Sequence, residues 1–267
     1  QHYDVSNAFY RMVLGPSMTY SCAVWQRPGP DVTLEEAQAE KYELVCRKLG
    51  LEPGMRLLDV GCGWGGMVLH AAANHGVRAV GVTLSRPQAE WAEKAVADAG
   101  LADRVEIRYQ DYRDVRDGPF DAISSIGMFE HVGLSQLRVY FGGLRGLLRP
   151  GGRLLNHGIS RPPNAGGTRF RRNGFIDRYV FPDGELHEIG NVVSTIQRSG
   201  LEVRHLESLR EHYALTLRAW VRNLESSWDD AVAEVGSGRA RVWRLYMAAS
   251  ALNFEAGRTQ VHQVLAV

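Results

Sequence analysis

The sequence predicts an α/β domain in which a doubly wound, mostly parallel sheet carries a helical cap. Two observations predict it. Between residues 56 and 157 short apolar strands alternate with amphipathic helices, the order that builds a parallel sheet covered on both faces. A glycine-rich turn, Gly61-Cys62-Gly63-Trp64-Gly65-Gly66, joins the first strand to the helix after it, where such sheets bind ligands.

The elements follow in order. Ser6 caps a short amphipathic helix that Gly15-Pro16 ends. Thr33 with Glu36 makes a capping box and opens a helix to about Leu49, closed by Gly50. Arg56–Val60 is the first strand, and a helix runs from about Gly66 to Asn74. Val77–Val82 is the second strand, followed by a helix over Pro87–Ala99 that Gly100 stops. Val105–Tyr109 and Phe120–Ile126 are the third and fourth strands. A helix over Leu134–Leu148 ends at Arg149-Pro150-Gly151-Gly152, before a fifth strand at Arg153–His157. Residues 160–184 hold Pro and Gly clusters without apolar period and read as a long loop over the carboxyl edge of the sheet, functional or mobile as such loops usually are. Helices at about 187–199, 214–234 and 239–256, a strand near 201–207 and a closing strand at Val261–Val267 complete the chain. One domain therefore spans 1–267: a helical cap segment at 1–50, a cofactor-binding core at 51–160, a substrate loop and helices at 161–256, and the closing strand at 257–267.

Composition excludes several classes. The 31 Lys and Arg nearly balance 30 Asp and Glu, which argues against bulk nucleic-acid binding. Three cysteines without a CxxC pair make neither a disulfide framework nor a zinc site, so no metal and a reducing, cytoplasmic setting are expected. No apolar run approaches the roughly 20 residues of a membrane span, and Gln1-His2-Tyr3-Asp4 is no signal peptide. A soluble protein is expected, with sequence upstream of Gln1 left open.

Gly61, Gly63 and Gly66 satisfy GxGxxG, so a dinucleotide site must be weighed. Asp59 stands inside the strand before the first glycine, where it would repel a pyrophosphate. The end of the second strand reads Gly81-Val82-Thr83-Leu84-Ser85, without the acid that would hold a nicotinamide ribose. An acid followed by GxGxG suits a ligand with an amino group and a sulfonium, S-adenosyl-L-methionine. Thr83, Leu84 and Gln88 are the groups available near its ribose. Asp111 is placed to reach the adenine, with a solvated loop acid as the blander reading. Glu130 lies just past the fourth strand and His157 at the end of the fifth, so both converge on the carboxyl edge where ligands bind. Cys22 reads as a packing or weakly hydrogen-bonding residue, Cys62 as spacing in the loop, and His131 as structural.

These residues, with His2-Tyr3-Asp4-Val5-Ser6-Asn7, Met18-Thr19-Tyr20-Ser21-Cys22-Ala23, Leu58-Asp59-Val60-Gly61-Cys62-Gly63-Trp64-Gly65, Phe129-Glu130-His131 and His212-Tyr213, resemble the cyclopropane-fatty-acyl-phospholipid synthase family, which includes the mycolic acid cyclopropane synthases. The resemblance implies a Rossmann-like class I methyltransferase fold and methylene transfer from S-adenosyl-L-methionine to the double bond of an unsaturated phospholipid acyl chain. It also implies a bound bicarbonate as base, held by Cys22, Glu130, His157, the backbone of Ile159 and Tyr213, and a cofactor shell that includes Tyr20, Ser21, Asp59, Gly61, Gly63, Thr83, Gln88 and Ile126. Gly158 stands where a Thr is common in the family, a change expected to widen the pocket.

The chemistry fits that assignment. Attack of an alkene on the sulfonium methyl leaves a carbocation that water must not reach, and aromatic faces stabilise it without reacting. Tyr20, Trp25, Phe129, Phe141, Phe170, Phe175, Tyr179 and Tyr213 are candidates, though most such residues simply pack the core. Proton loss then gives a cyclopropane or, after a hydride shift, a 10-methylene branch of the tuberculostearic type. A nicotinamide-dependent oxidoreductase and a non-catalytic lipid- or cofactor-binding subunit are the alternatives. Arg169, Arg171 and Arg172 in the loop are expected to meet anionic headgroups at a membrane surface; the blander reading is a solvated charge run. Peripheral membrane association is the expected location, and a homo-oligomer or a reductase partner stays open.

Overall fold

The structure, a computed structural model, describes residues 6–26, 32–163 and 186–267. Its helices are α1 (Asn7–Leu14), α2 (Leu34–Leu49), α3 (Gly66–His75), α4 (Arg86–Asp98), α5 (Leu137–Leu147), α6 (Ile189–Arg198), α7 (Arg210–Ser226), α8 (Trp228–Val235) and α9 (Ser237–Glu255). Its strands are β1 (Arg56–Val60), β2 (Arg78–Thr83), β3 (Val105–Tyr109), β4 (Phe120–Ile126), β5 (Leu148–Arg161), β6 (His187–Glu188), β7 (Val203–Ser208) and β8 (Gln260–Ala266). They form one sheet in the order β3-β2-β1-β4-β5-β8-β7, with β6 beside the end of β5. The pairs from β3 to β5 are parallel, while β8 runs antiparallel to both β5 and β7. The fold is the expected α/β, Rossmann-like arrangement.

Strand order reverses between β1 and β4. At such a switch point the loops leaving the two strands diverge and open a crevice at their carboxyl ends. Leu57, Leu58, Asp59 and Val60 are all buried in the central strand, as a strand covered on both faces requires. On one face Val45, Cys46, Leu49, Met67, Val68 and Ala71 pack from α2 and α3. On the other, Leu137, Phe141, Leu144, Val192 and Ile196 pack from α5 and α6. A third cluster joins Phe9, Tyr10 and Val13 of α1 to Trp220, Trp243 and Met247 of the late helices, and this is the cap.

Both expected caps form. Ser6 accepts from the Phe9 amide, and Thr33 and Glu36 close a full capping box. Two departures stand out. β5 extends well beyond Arg153–His157 at both ends. Leu148 already pairs with Phe120, and β8, more than 100 residues later, hydrogen-bonds along Leu154–Ser160. The helix expected at 214–234 begins at Arg210 and divides at Ser227, whose φ of −111° and ψ of 27° are not helical.

Candidate active site

A cavity of about 520 Å³ opens at the switch point. Tyr20, Ser21, Asp59, Gly61, Gly63, Thr83, Leu84, Gln88 and Ile126 line it, together with Lys41, Tyr42, Gln110, Tyr112 and His131. Gly61, Gly63 and Gly65 have φ of +79°, +55° and +89°, a region that L side chains rarely adopt. A Cβ at Gly66 would overlap the Tyr42 hydroxyl, so α2 approaches α3 closely only because that position lacks a side chain. Of the expected glycines, Gly61 and Gly63 supply the turn, Gly66 supplies the close approach, and Gly65 joins them as a third left-handed position.

Asp59 Oδ1 accepts from Ser124 Oγ at 2.6 Å. Burial raises its carboxyl to about 6, opposed by that hydrogen bond and by Lys41. Thr83 Oγ1 donates to Gln88 Oε1 at 3.1 Å and accepts from the Ser85 amide, which ties the turn after β2 to α4. Leu84 is 62% exposed, an apolar side chain at the cavity edge with little protein cover. Asp111 does not line the cavity. Its carboxylate takes the Arg113 guanidinium at 2.6 Å and caps the following turn, and the hydrogen bonds from Arg113 hold it below the usual carboxylate range. Its neighbours Gln110 and Tyr112 face the cavity instead. His131, expected to be structural, also lines it.

The segment Tyr20–Trp25 is clamped from two sides. From α7, Thr216 Oγ1 accepts from the Ala23 amide and the Trp25 indole, and His212 Nδ1 accepts from the Trp25 amide. From α2, Gln38 donates to the Ser21 carbonyl and Lys41 Nζ to Ser21 Oγ, both at 3.0 Å. The His212-Tyr213 pair thus divides its work: His212 fixes the backbone at Trp25, and Tyr213 packs on Phe254 and Trp220. Tyr20 contacts Trp220, Trp243 and Tyr10. Of the aromatic candidates, Tyr20 and Tyr213 belong to one cluster around Trp220. Phe141 packs with Tyr140 on the far face of the sheet, and Trp25 is held by Thr216. Phe170, Phe175 and Tyr179 lie outside the described residues.

The other expected site residues meet where β5 passes this cluster. Cys22 Sγ is 3.7 Å from the Leu209 carbonyl, which also accepts the Tyr213 amide. The Leu209 amide donates to Val261, whose partner across β5–β8 is Ile159. The Ile159 amide in turn donates to Glu130 Oε1 at 2.7 Å. Burial lifts the Glu130 carboxyl to about 7 against that bond, and pushes the Cys22 thiol well up. Glu130 Oε2 and His157 Nε2 are buried and have no hydrogen-bond partner among the described residues. Two such orphans are costly unless a ligand satisfies them. Gly158 does not widen this region, because the Phe129 ring occupies the space a Cβ would take.

The protonation of His157 follows from its neighbours. Lys48 Nζ, which can only donate, bonds Gln263 Oε1 at 2.7 Å and also pairs with Glu207. The Gln263 amide nitrogen therefore faces His157 Nδ1, at 3.2 Å, and donates to it. Burial, reinforced by Lys41 and Lys48, depresses His157 to about 3, so the ring is neutral and its proton sits on Nε2, the orphaned atom. Lys48 and Gln263 are positioning residues that the sequence reading did not find.

Two further expectations fall elsewhere. Arg169, Arg171 and Arg172 lie outside the described residues; Arg161, at the loop's start, pairs with Glu188 at 3.0 Å. Cys46, His70 and His75 gather between α2 and α3, but Glu43 already accepts from both imidazoles. Burial pushes the Cys46 thiol up to about 12, so hydrogen bonding to Glu43 and packing account for the group.

The profile of the mycolic acid cyclopropane synthetase family matches residues 1–264. The chain belongs to this family. It is 58% identical over 265 residues to a probable fatty acid methyltransferase of Mycobacterium tuberculosis, covering 99% of this chain and 61% of that protein. It is 36% identical over 265 residues to the cyclopropane-fatty-acyl-phospholipid synthase of Escherichia coli, covering 99% and 66%. It therefore spans about two thirds of the length of these relatives. The solved structure of the mycolic acid cyclopropane synthase CmaA1 complexed with SAH and CTAB superposes with a TM-score of 0.91 at 34% identity, covering 99% of this chain and 95% of that one. Family membership removes the nicotinamide alternative, in agreement with Thr83 standing where a ribose-binding acid would be needed.

Proposed function

We propose that the protein transfers a methyl group from S-adenosyl-L-methionine to the double bond of an unsaturated phospholipid acyl chain and that loss of a proton from the added carbon closes a cyclopropane ring. One observation carries the reading. Ile126, in the lining of the glycine-loop cavity, pairs across β4–β5 with His157, and Glu130 takes the Ile159 amide two residues further along β5; His157 Nε2 and Glu130 Oε2 are buried and have no hydrogen-bond partner among the described residues. A small anion that both accepts and donates hydrogen bonds fits that pair, so the donor set suits bicarbonate.

When bound, S-adenosyl-L-methionine supplies an electrophilic methyl group and bicarbonate a base. The protein's own residues do the rest. His157, through its Nε2 proton, and Glu130, fixed by the Ile159 amide, are the residues that would hold such an anion. A carboxyl that titrates near 7 either donates to the anion or accepts from it. Tyr20, which lines the cavity and is backed by Trp220 and Tyr213, would keep water from a developing cation and offer it a π face. The 10-methylene product shares every step but the last.

No described helix is long and apolar enough to cross a membrane. Peripheral association through Arg169, Arg171 and Arg172 is proposed from the sequence alone. Replacing the three by Ser should weaken binding to anionic vesicles, and unchanged binding would refute that role. A reductase partner enters only if the product is the methylene branch. The deciding experiment incubates the protein with S-adenosyl-L-methionine and oleoyl phospholipid vesicles, then analyses released fatty acids by mass spectrometry and ozonolysis. A chain one CH2 heavier that resists ozone supports the cyclopropane; the same mass with a cleavable bond means the methylene branch. No mass gain with cofactor bound would overturn the acyl substrate.

A further inference from the structure

Lys41 is buried to 1% exposure and lines the cofactor cavity. Its ammonium has three donors, yet only one hydrogen bond, to the neutral Ser21 hydroxyl at 3.0 Å, is formed among the described residues. The rest of its surroundings are the Tyr42 ring, 3.8 Å away, and the buried Cys22 and Asp59, neither within ion-pair distance. Burying a cation so sparsely partnered is unfavourable, and burial depresses the group to about 7. On the same wall Asp59 keeps its carboxylate near the glycine turn, bonded through one oxygen to Ser124. A buried cation and a buried anion therefore face one cavity without neutralising each other.

We infer that Lys41, which the expected cofactor shell does not include, is the counter-ion for the α-carboxylate of the adenosyl cofactor, opposite the α-ammonium that Asp59 on the glycine turn is expected to take. The inference rests on the cofactor reading above and deepens it. Each ligand charge supplies the partner its protein counterpart lacks, and the ligand's carboxylate replaces the missing counter-ion of Lys41. Thr83 and Leu84 also line the cavity and are the groups expected near the nucleoside. Lys41 is thus a determinant of affinity for the amino-acid moiety alone.

Isothermal titration calorimetry with S-adenosyl-L-homocysteine and with 5′-methylthioadenosine, which lacks the amino acid, tests this. In Lys41→Met the homocysteine compound should bind roughly tenfold to a hundredfold more weakly, as expected when one partner of a buried charge pair is removed. Methylthioadenosine should bind as it does to the wild type. Unchanged binding of both ligands, or an equal loss for both, would overturn the inference. Should the variant not fold, the wild type is titrated with the methyl ester of S-adenosyl-L-homocysteine. A tenfold loss upholds the carboxylate site, and affinity equal to that of the free acid overturns it. A wild type that binds neither adenosyl compound would remove the cofactor reading itself, a result distinct from all of these.

Discussion

Glu130→Gln should make the protein more stable at pH 8 and nearly inactive. The Glu130 carboxyl titrates at about 7 against an ordinary 4.5, because burial opposes its charge more than the Ile159 amide favours it. At about 1.4 kcal/mol per tenfold change in an ionisation constant, ionising it in the folded state costs about 3 kcal/mol more than in the unfolded chain. A folded-state value raised above the unfolded one means that this cost is absent below pH 4.5. It grows as pH rises and is complete above about 7. Gln is neutral at every pH and its carbonyl oxygen can keep the Ile159 amide, though a neutral acceptor is weaker by about 1 kcal/mol. The variant should gain about 2 kcal/mol at pH 8, or roughly 4–8 °C in melting temperature for a domain of this size. At pH 4.5 it should gain nothing. Melting curves of both proteins from pH 4.5 to 8.5 in bicarbonate-free buffer measure the difference, and the vesicle assay should show a loss of at least about a hundredfold. A variant less stable than the wild type at pH 8, or a gain that does not vary with pH, would refute the assigned cost of the buried carboxylate.

Gln263→Leu should leave the sheet folded while freeing the His157 tautomer; nitrogen NMR of labelled histidine should show a mixture in place of a single Nε2–H form, and a spectrum unchanged from wild type would refute the positioning role. Gly63→Ala places a side chain at φ +55°, where no atom of the described residues lies within 4 Å of the new Cβ; it should cost about 1–2 kcal/mol of stability and weaken adenosyl-ligand binding, both readable by calorimetry. Gly66→Ala must displace the Tyr42 hydroxyl from α3, and Tyr42→Phe should restore part of the lost melting temperature. Asp111→Ala should leave binding of S-adenosyl-L-homocysteine within about threefold, since a surface pair with Arg113 contributes little; a tenfold loss would return Asp111 to the adenine site.

The core was legible because its rules are local. Alternating apolar runs placed β1 and β4 to the residue, Ser6 and Thr33 announced their helices, and the glycine turn located the cavity. What escaped depends on distant chain. β5 reaches Arg161 because β8 pairs with it, and no local signal announces a partner 100 residues away. The break at Ser227 carries neither Gly nor Pro. Trp220 and Trp243 read as helix-face residues until α7 and α9 bring them to Tyr20. Gly158 looked like added space, but the Phe129 ring had already taken it. Asp111 misses the cavity because it caps the turn after β3 and takes Arg113, leaving Gln110 and Tyr112 to line it, while His131 reaches the cavity from the short turn after β4.

One missed signal was nevertheless present in α2. Its buried stripe runs Leu34, Ala37, Gln38, Lys41, Tyr42, Val45, Cys46 and Leu49, the spacing of a core-facing helix surface. Gln38 and Lys41 occupy apolar positions in that pattern, and a polar residue at a core position needs a partner to justify its burial. Gln38 finds it in the Ser21 carbonyl, and Lys41 finds in the Ser21 hydroxyl an acceptor for one of its three donors. Lys48 lies seven residues beyond Lys41, two turns along the helix, and holds Gln263 against His157. A single helix thus sends one cation toward the cofactor cavity and another toward the histidine at the base site. Because the same rigid element carries both, the spacing between the two halves of the site is set by helical rise, about 10 Å for seven residues, rather than by any loop. A one-residue insertion in α2 between Lys41 and Lys48 would rotate the two by about 100° relative to each other, and should abolish turnover even where adenosyl-ligand binding survives.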